Sequence, residues 1–121
     1  MDADNFEHIF DEQIDMCRDT LVVKAKEYAT EDRLHNFKVA AELEGCTVRQ
    51  AVAGMLAKHT ISIFDMCQSG NVFPMAVWEE KITDHINYLI LLKAVVNEEL
   101  NECVSKKDVS QASYLPISER L

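Results

Sequence analysis

The run from about Met75 to Val104 carries apolar residues at spacings of three and four, and between Tyr88 and Leu92 it is apolar on nearly every side. A helix in a four-helix monomer normally shows water one face. This one offers no such face there, so burial from two sides, by the rest of the bundle and by a second subunit, is the simplest account. Pro74 suits the first turn of this helix. Its main core stripe is predicted as Trp78, Ile82, Ile86, Leu89, Val96 and Leu100.

The rest of the chain follows the same period, and with 3 Gly and 2 Pro in 121 residues little interrupts it. The pattern predicts an all-α, four-helix bundle that is oligomeric. A first helix is predicted from about Asn5 to Tyr28, capped by Asp4, burying Phe6, Phe10, Ile14, Cys17, Leu21 and Tyr28. A polar connector from Ala29 to His35 leads to a short helix from Asn36 to Glu44, which buries Phe37, Ala40, Ala41 and Leu43 and is ended by Gly45. Thr47-Val48-Arg49-Gln50 has the form of a capping box. The third helix should begin there and run to about Gln68, with Val48, Val52, Met55, His59, Ile63 and Met66 facing inward. Gly54 inside it costs about 1 kcal/mol relative to Ala unless it allows a close helix contact. Ser69-Gly70-Asn71 is the stop. Residues 1–104 therefore read as one bundle domain and 105–121 as a short irregular C-terminal tail.

Hydrophobic residues make up 48% of the chain, which argues against disorder, and the formal net charge is -9. That charge disfavours non-specific attraction to nucleic-acid backbones and anionic membranes. No apolar run approaches the length of a membrane span. The acidic N-terminus does not resemble a secretion signal. Cys17, Cys46, Cys67 and Cys103 lie far apart with no zinc-type spacing, as expected of small buried hydrophobes in a reducing cytoplasm.

On a helix, Glu80, Asp84 and Asn87 fall on one narrow stripe that continues into Leu91. Running on into leucine, the stripe should be covered at its C-terminal end by another helix or subunit. Two carboxylates and an amide would then stand at the edge of a partly dry groove, where oxygen ligands one turn apart suit Mg²⁺. Glu12 and Asp15, beside His8 and Asp19 on the first helix, form a reserve acidic pair. Lys24, Lys26 and Tyr28, then Arg33, His35, Asn36 and Phe37, and Lys58 with His59, add cations, amides and rings that suit a bound nucleotide. Each also has a structural reading: Phe37 as core, Asn36 as a cap, His59 as a packed core histidine.

Lys24-x-Lys26-x-Tyr28, Asn36-Phe37 followed by Ala40 and Ala41, Lys58-His59, and Glu80-x-x-x-Asp84-x-x-Asn87-Tyr88 occur in an order that resembles a group of small phage and prophage helical proteins. These are related to the MazG-like all-alpha nucleoside triphosphate pyrophosphohydrolases and to nucleotide-modification-associated domains. The resemblance covers roughly residues 20 to 96. It implies a usually oligomeric, Mg²⁺-binding bundle that hydrolyses a nucleoside triphosphate to monophosphate and pyrophosphate; the apolar circumference from Tyr88 to Leu92 predicts a dimer or dimer of dimers, in the host cytoplasm if the chain is phage-encoded. On this reading Glu80 and Asp84 hold metal, while Lys24, Tyr28, Asn36, Phe37, Lys58, Asn87 and Tyr88 line the nucleotide pocket. The catalytic members hold metal with a Glu-x-x-Glu and a Glu-x-x-Asp pair, whereas here Glu80 and Asp84 are four apart, and Glu42 and Glu44 are two apart and on different faces. Catalytic residues are therefore left unassigned. The alternative is a non-catalytic protein that sequesters a nucleotide or acts on host machinery.

Overall fold

The computed structural model describes residues 1–27 and 31–106, and these are helical with no strand among them. Helix α1 is Ala3–Arg18, α2 is His35–Glu44, α3 is Val48–Gln68 and α4 is Met75–Lys106. The chain leaves α1 through a π-helical turn, Asp19–Val23, and a 3-10 turn, Lys24–Glu27. The single continuous helix predicted to Tyr28 is thus rewound over its last turns. Residues 107–121, and with them nearly all of the predicted tail, lie outside the described residues, as does Tyr28.

Local punctuation sets the helix ends. Asp2, not Asp4, caps α1, its carboxylate accepting the Asn5 amide at 2.8 Å. Gly45 closes α2 with φ of 67°, a left-handed conformation that a β-carbon disfavours. At the start of α3 the Gln50 amide donates to the Thr47 hydroxyl at 3.1 Å while the Thr47 amide donates to the Gln50 side-chain oxygen at 2.9 Å. This reciprocal pair satisfies two of the donors that a helix start leaves open.

Packing makes α3 and α4 an antiparallel pair, since Arg49 reaches Glu99 at one end and Thr60 meets His85 further along. α1 runs parallel to α4, with Gln13 opposite Thr83 and Leu21 and Ala25 opposite Ile90 and Ala94. The core lies where α2 and α3 meet the second half of α4: Leu34, Phe37, Val52 and Val95 are buried, with Val48, Met55, Tyr88, Leu91 and Leu92 packed against them. Val52 is 0% exposed. Burying a side chain of that size contributes about 2 kcal/mol.

Three predicted burial patterns need correction. On α1, Phe6 and Phe10 are 64% and 56% exposed and Ile14 is also exposed, because α1 meets α4 through Gln13, Met16 and Cys17. On α4 the predicted stripe leaves Ile82, Leu89 and Leu100 exposed, and the packed side is Thr83, Asn87, Tyr88, Leu91, Leu92 and Val95. A helix apolar on nearly every side gives periodicity no way to choose which stripe faces its own bundle. On α2, Phe37 and Ala41 are buried but Leu43 is exposed. The inward face of α3 is as predicted, with Val52 and Met66 buried and Val48, Met55, His59 and Ile63 half-buried. Among the cysteines Cys17 alone is buried; Cys67 and Cys103 are exposed and no two are bonded.

Candidate functional site

The first half of α4 has a different neighbour on each side. Thr83 is buried toward α1, where its hydroxyl accepts from the Gln13 amide at 2.8 Å and points at the Met16 sulfur at 4.0 Å. The same Gln13 nitrogen lies 3.4 Å from the Cys17 sulfur. Toward α3, the Tyr88 ring lies 4.6 Å from the His59 ring at an interplanar angle of 30°, and the Phe37 ring meets it edge-on at 6.4 Å. Asp84 falls between these two sides, about 60° around the helix from Asn87 and about 40° from Tyr88.

The acid stripe therefore descends from water into the core. Glu80 is exposed, Asp84 half-buried, Asn87 buried, and Leu91 packs on the core cluster. Cover at the C-terminal end of the stripe is what the sequence pattern requires, and α2 and α3 supply it. Asn87 is 5% exposed and its side-chain oxygen has no hydrogen-bond partner. A buried acceptor without a donor or cation costs about 1–3 kcal/mol, so its position one turn below Asp84 needs a reason.

His85 Nε2 lies 3.0 Å from the Thr60 hydroxyl, which also lies 3.2 Å from the Leu56 carbonyl.

The predicted site residues separate into two groups. Asp84, Asn87, Tyr88 and Phe37 come together around the middle of α4, with Phe37 serving as core and its ring held by Tyr88. Lys24, Asn36 and Lys58 are exposed; Lys24 faces Asp19 at 3.9 Å, and Asn36 sits in the first turn of α2, where Leu34 occupies the cap position. On α1 the reserve acids are solvated, and Glu12 lies 3.8 Å from His8.

For Mg²⁺ the donor set is one exposed carboxylate, one half-buried carboxylate and the orphaned Asn87 oxygen, all hard oxygen ligands of the kind that ion takes. Among the described residues no group of three or more His, Cys, Asp and Glu side chains stands close enough to hold a metal ion. An ion here would rely on water and ligand oxygens for the rest of its shell. That is the usual arrangement for Mg²⁺ on a phosphate compound.

Sequence reading missed two features. His85 is fixed through a partner 25 positions away. The other is an ion-pair clamp: Lys38 of α2 reaches Asp32 at 2.6 Å and Glu98 of α4 at 2.5 Å. The Lys38 ammonium and the Leu34 amide, both donating to Asp32, hold its carboxyl below the usual range, and the two carboxylates push Lys38 up. Nearby, partial burial and the Glu44 carboxylate push the Cys46 thiol up.

No family model matches this chain, and no similar curated protein or solved structure was found. Among the described residues no helix is long and apolar enough to cross a membrane.

Proposed function

We propose that the face of α4 from Glu80 through Asp84 to Asn87 is a binding site for a nucleotide or a related phosphate compound, taken up together with Mg²⁺. The observation that carries this reading is the buried, unpartnered Asn87 oxygen one turn below a half-buried aspartate. A cation or a ligand donor reaching the Asn87 oxygen would satisfy it. Glu80 and Asp84 would hold the ion, and when bound it supplies charge neutralisation of phosphate oxygens and polarisation of a phosphorus centre. The chain's own residues do the remaining work. Asn87 would present its carbonyl, Tyr88 beside the His59 ring an aromatic face, and His85 an imidazole.

Hydrolysis of a triphosphate to monophosphate and pyrophosphate is the reaction this reading allows, and a non-catalytic protein that sequesters a nucleotide or acts on host machinery is the alternative. The departure from paired three-residue acid spacing keeps both in play. A panel of canonical and modified nucleotides, screened by thermal shift with and without Mg²⁺, followed by a pyrophosphate-release assay on any hit, separates them. Metal-dependent stabilisation with turnover supports the hydrolase, and stabilisation without turnover supports the binder. No stabilisation by any nucleotide removes the nucleotide reading.

The same proposal includes a second copy of the chain. Phe6, Ile9, Phe10 and Ile14 of α1 and Ile82, Leu89 and Ile90 of α4 are exposed, which is more apolar surface than single helices of a monomer normally present. An oligomer assembled through α4 and the outer face of α1 covers it.

A further inference from the structure

The outward line of α3 carries no charge, in a chain whose net charge is -9. Gly54, Ala57, Ile61 and Phe64 lie within about 40° of one line along the helix, opposite the buried Val52 and Met66, and Gln50 and Gln68 extend it at either end. All six are exposed, Ile61 by 59% and Phe64 by 62%. Their spacing alternates three and four, the period of a seam between two paired helices. Gly54 has no reason within the subunit. A β-carbon built there meets nothing within 4 Å, yet glycine inside a helix is less favourable than alanine.

The line is complementary to itself. Turned end for end about a two-fold axis level with His59, it sets Gly54 against the partner's Phe64 and Ala57 against the partner's Ile61, since both pairs are centred on that position. Each large side chain then meets a small one. A parallel pairing would instead set phenylalanine on phenylalanine and leave a gap at the glycines. Beyond the apolar layers Gln50 stands level with the partner's Gln68. Gln50 spends its side-chain oxygen on the Thr47 amide, which leaves its NH₂ to donate across the seam. The flanking charges fit the same register. Lys58 and the partner's Asp65 share a flank, about 7.5 Å apart along the axis. Helical side chains lean toward their own N-terminus, so in an antiparallel pair these two lean toward each other, and the two copies of Lys58 lean apart. Neither Lys58 nor Asp65 has an ion-pair partner among the described residues.

We propose that α3 is a self-pairing surface that docks antiparallel on α3 of a second copy of this chain, Gly54 and Ala57 receiving the partner's Phe64 and Ile61, and Lys58 pairing with the partner's Asp65. The contact is isologous, so one patch serves both copies and association closes. It is separate from the exposed apolar faces of α1 and α4 and does not rest on the nucleotide reading. Copies joined through both surfaces make a dimer of dimers. The seam is about 27 Å long and one helix wide, less than the roughly 800 Å² per partner of a standard interface, so the α3 step is concentration-dependent.

Sedimentation velocity of the full chain, from micromolar to hundreds of micromolar, tests the pairing in the parent and three variants. Phe64→Glu sets a carboxylate against the partner's Gly54 and is expected to weaken the association at least tenfold. Asp65→Lys gathers lysines about the axis and is expected to weaken it several-fold. Exchanging the charges, Lys58→Glu with Asp65→Lys, is expected to restore it. All three positions are exposed, and circular dichroism checks that each variant is folded. If Phe64→Glu is not folded, the charge exchange decides alone. A parent that stays monomeric overturns the proposal, and so does association that Phe64→Glu leaves unchanged while Phe10→Ser with Leu89→Ser abolishes it, which assigns assembly to the α1 and α4 faces alone. Failure of the charge exchange to restore what Asp65→Lys removes overturns the antiparallel register.

Discussion

The Gln13 amide of α1 donates to the Thr83 hydroxyl of α4 at 2.8 Å, a bond between residues 70 positions apart that fixes the register of the two parallel helices. Thr83 is buried, so its hydroxyl has no water to turn to. Gln13→Ala is expected to lower stability by about 1–2 kcal/mol, the cost of a buried hydroxyl losing its donor. Chemical denaturation measures this. A loss near zero would mean that α1 is positioned by its apolar contacts alone.

Gly54 sits in the interior of α3, and a β-carbon built there meets nothing within 4 Å. Gly54→Ala is therefore expected to stabilise the isolated subunit by about 1 kcal/mol through helix propensity. If that variant instead loses stability in a concentration-dependent way, another helix packs against Gly54 in the assembled protein.

The Asp32–Lys38–Glu98 clamp ties the segment before α2 to α4 and gives stability a defined pH window. Asp32 is held below its ordinary value of 3.8, so its contribution is present above that pH and is lost as pH falls through the lowered folded value. Lys38 is raised from its ordinary 10.5, so its contribution is present below that pH and is lost as pH rises further. Lys38→Met is expected to destabilise the protein between these limits and to converge with the parent at both extremes. Melting temperatures of the pair across the pH range provide the comparison, and a difference independent of pH would assign the effect to packing of the lysine stem.

Phe6 and Phe10 are more than half exposed on one face of α1, and Ile82 and Leu89 are exposed on α4. Light scattering at micromolar concentration is expected to give a dimer or a dimer of dimers, and Phe10→Ser with Leu89→Ser is expected to shift it toward monomer. A monodisperse monomer for the parent protein would contradict the oligomer.

Much of the helix layout is legible in the sequence because its signals are local. The Thr47 and Gln50 capping pair, Gly45 with its left-handed turn, and Pro74 before α4 each act within one turn of chain. The side of α4 that faces the bundle is not legible. Its alternative stripes are equally apolar, and the choice falls to partners such as Val52 of α3 and Leu34 ahead of α2, far away in sequence. The same holds for α1, whose anchoring residue is a glutamine rather than one of its phenylalanines. At the site, helical spacing alone aligns Glu80, Asp84 and Asn87. The burial that leaves the Asn87 oxygen unpartnered, and the His59 ring against Tyr88, depend on how α1 and α3 flank α4. The π-turn after α1 has no signature in the apolar period.

The melting temperature of the parent protein and of Asp84→Asn, each measured with increasing Mg²⁺ in the presence of the tightest nucleotide from the panel, addresses the central claim directly. Asp84→Asn keeps the shape of the side chain and removes the charge that the ion would meet. The parent is expected to gain stability in a saturable, mass-action manner, by about 2.7 kcal/mol at a hundred times the dissociation constant. The variant is expected to be at least as stable without metal and to show no such gain. Equal metal responses in the two proteins would place the ion elsewhere, with Glu12 and Asp15 of α1 next to be tested, and would contradict the assignment of the Glu80–Asp84 face of α4.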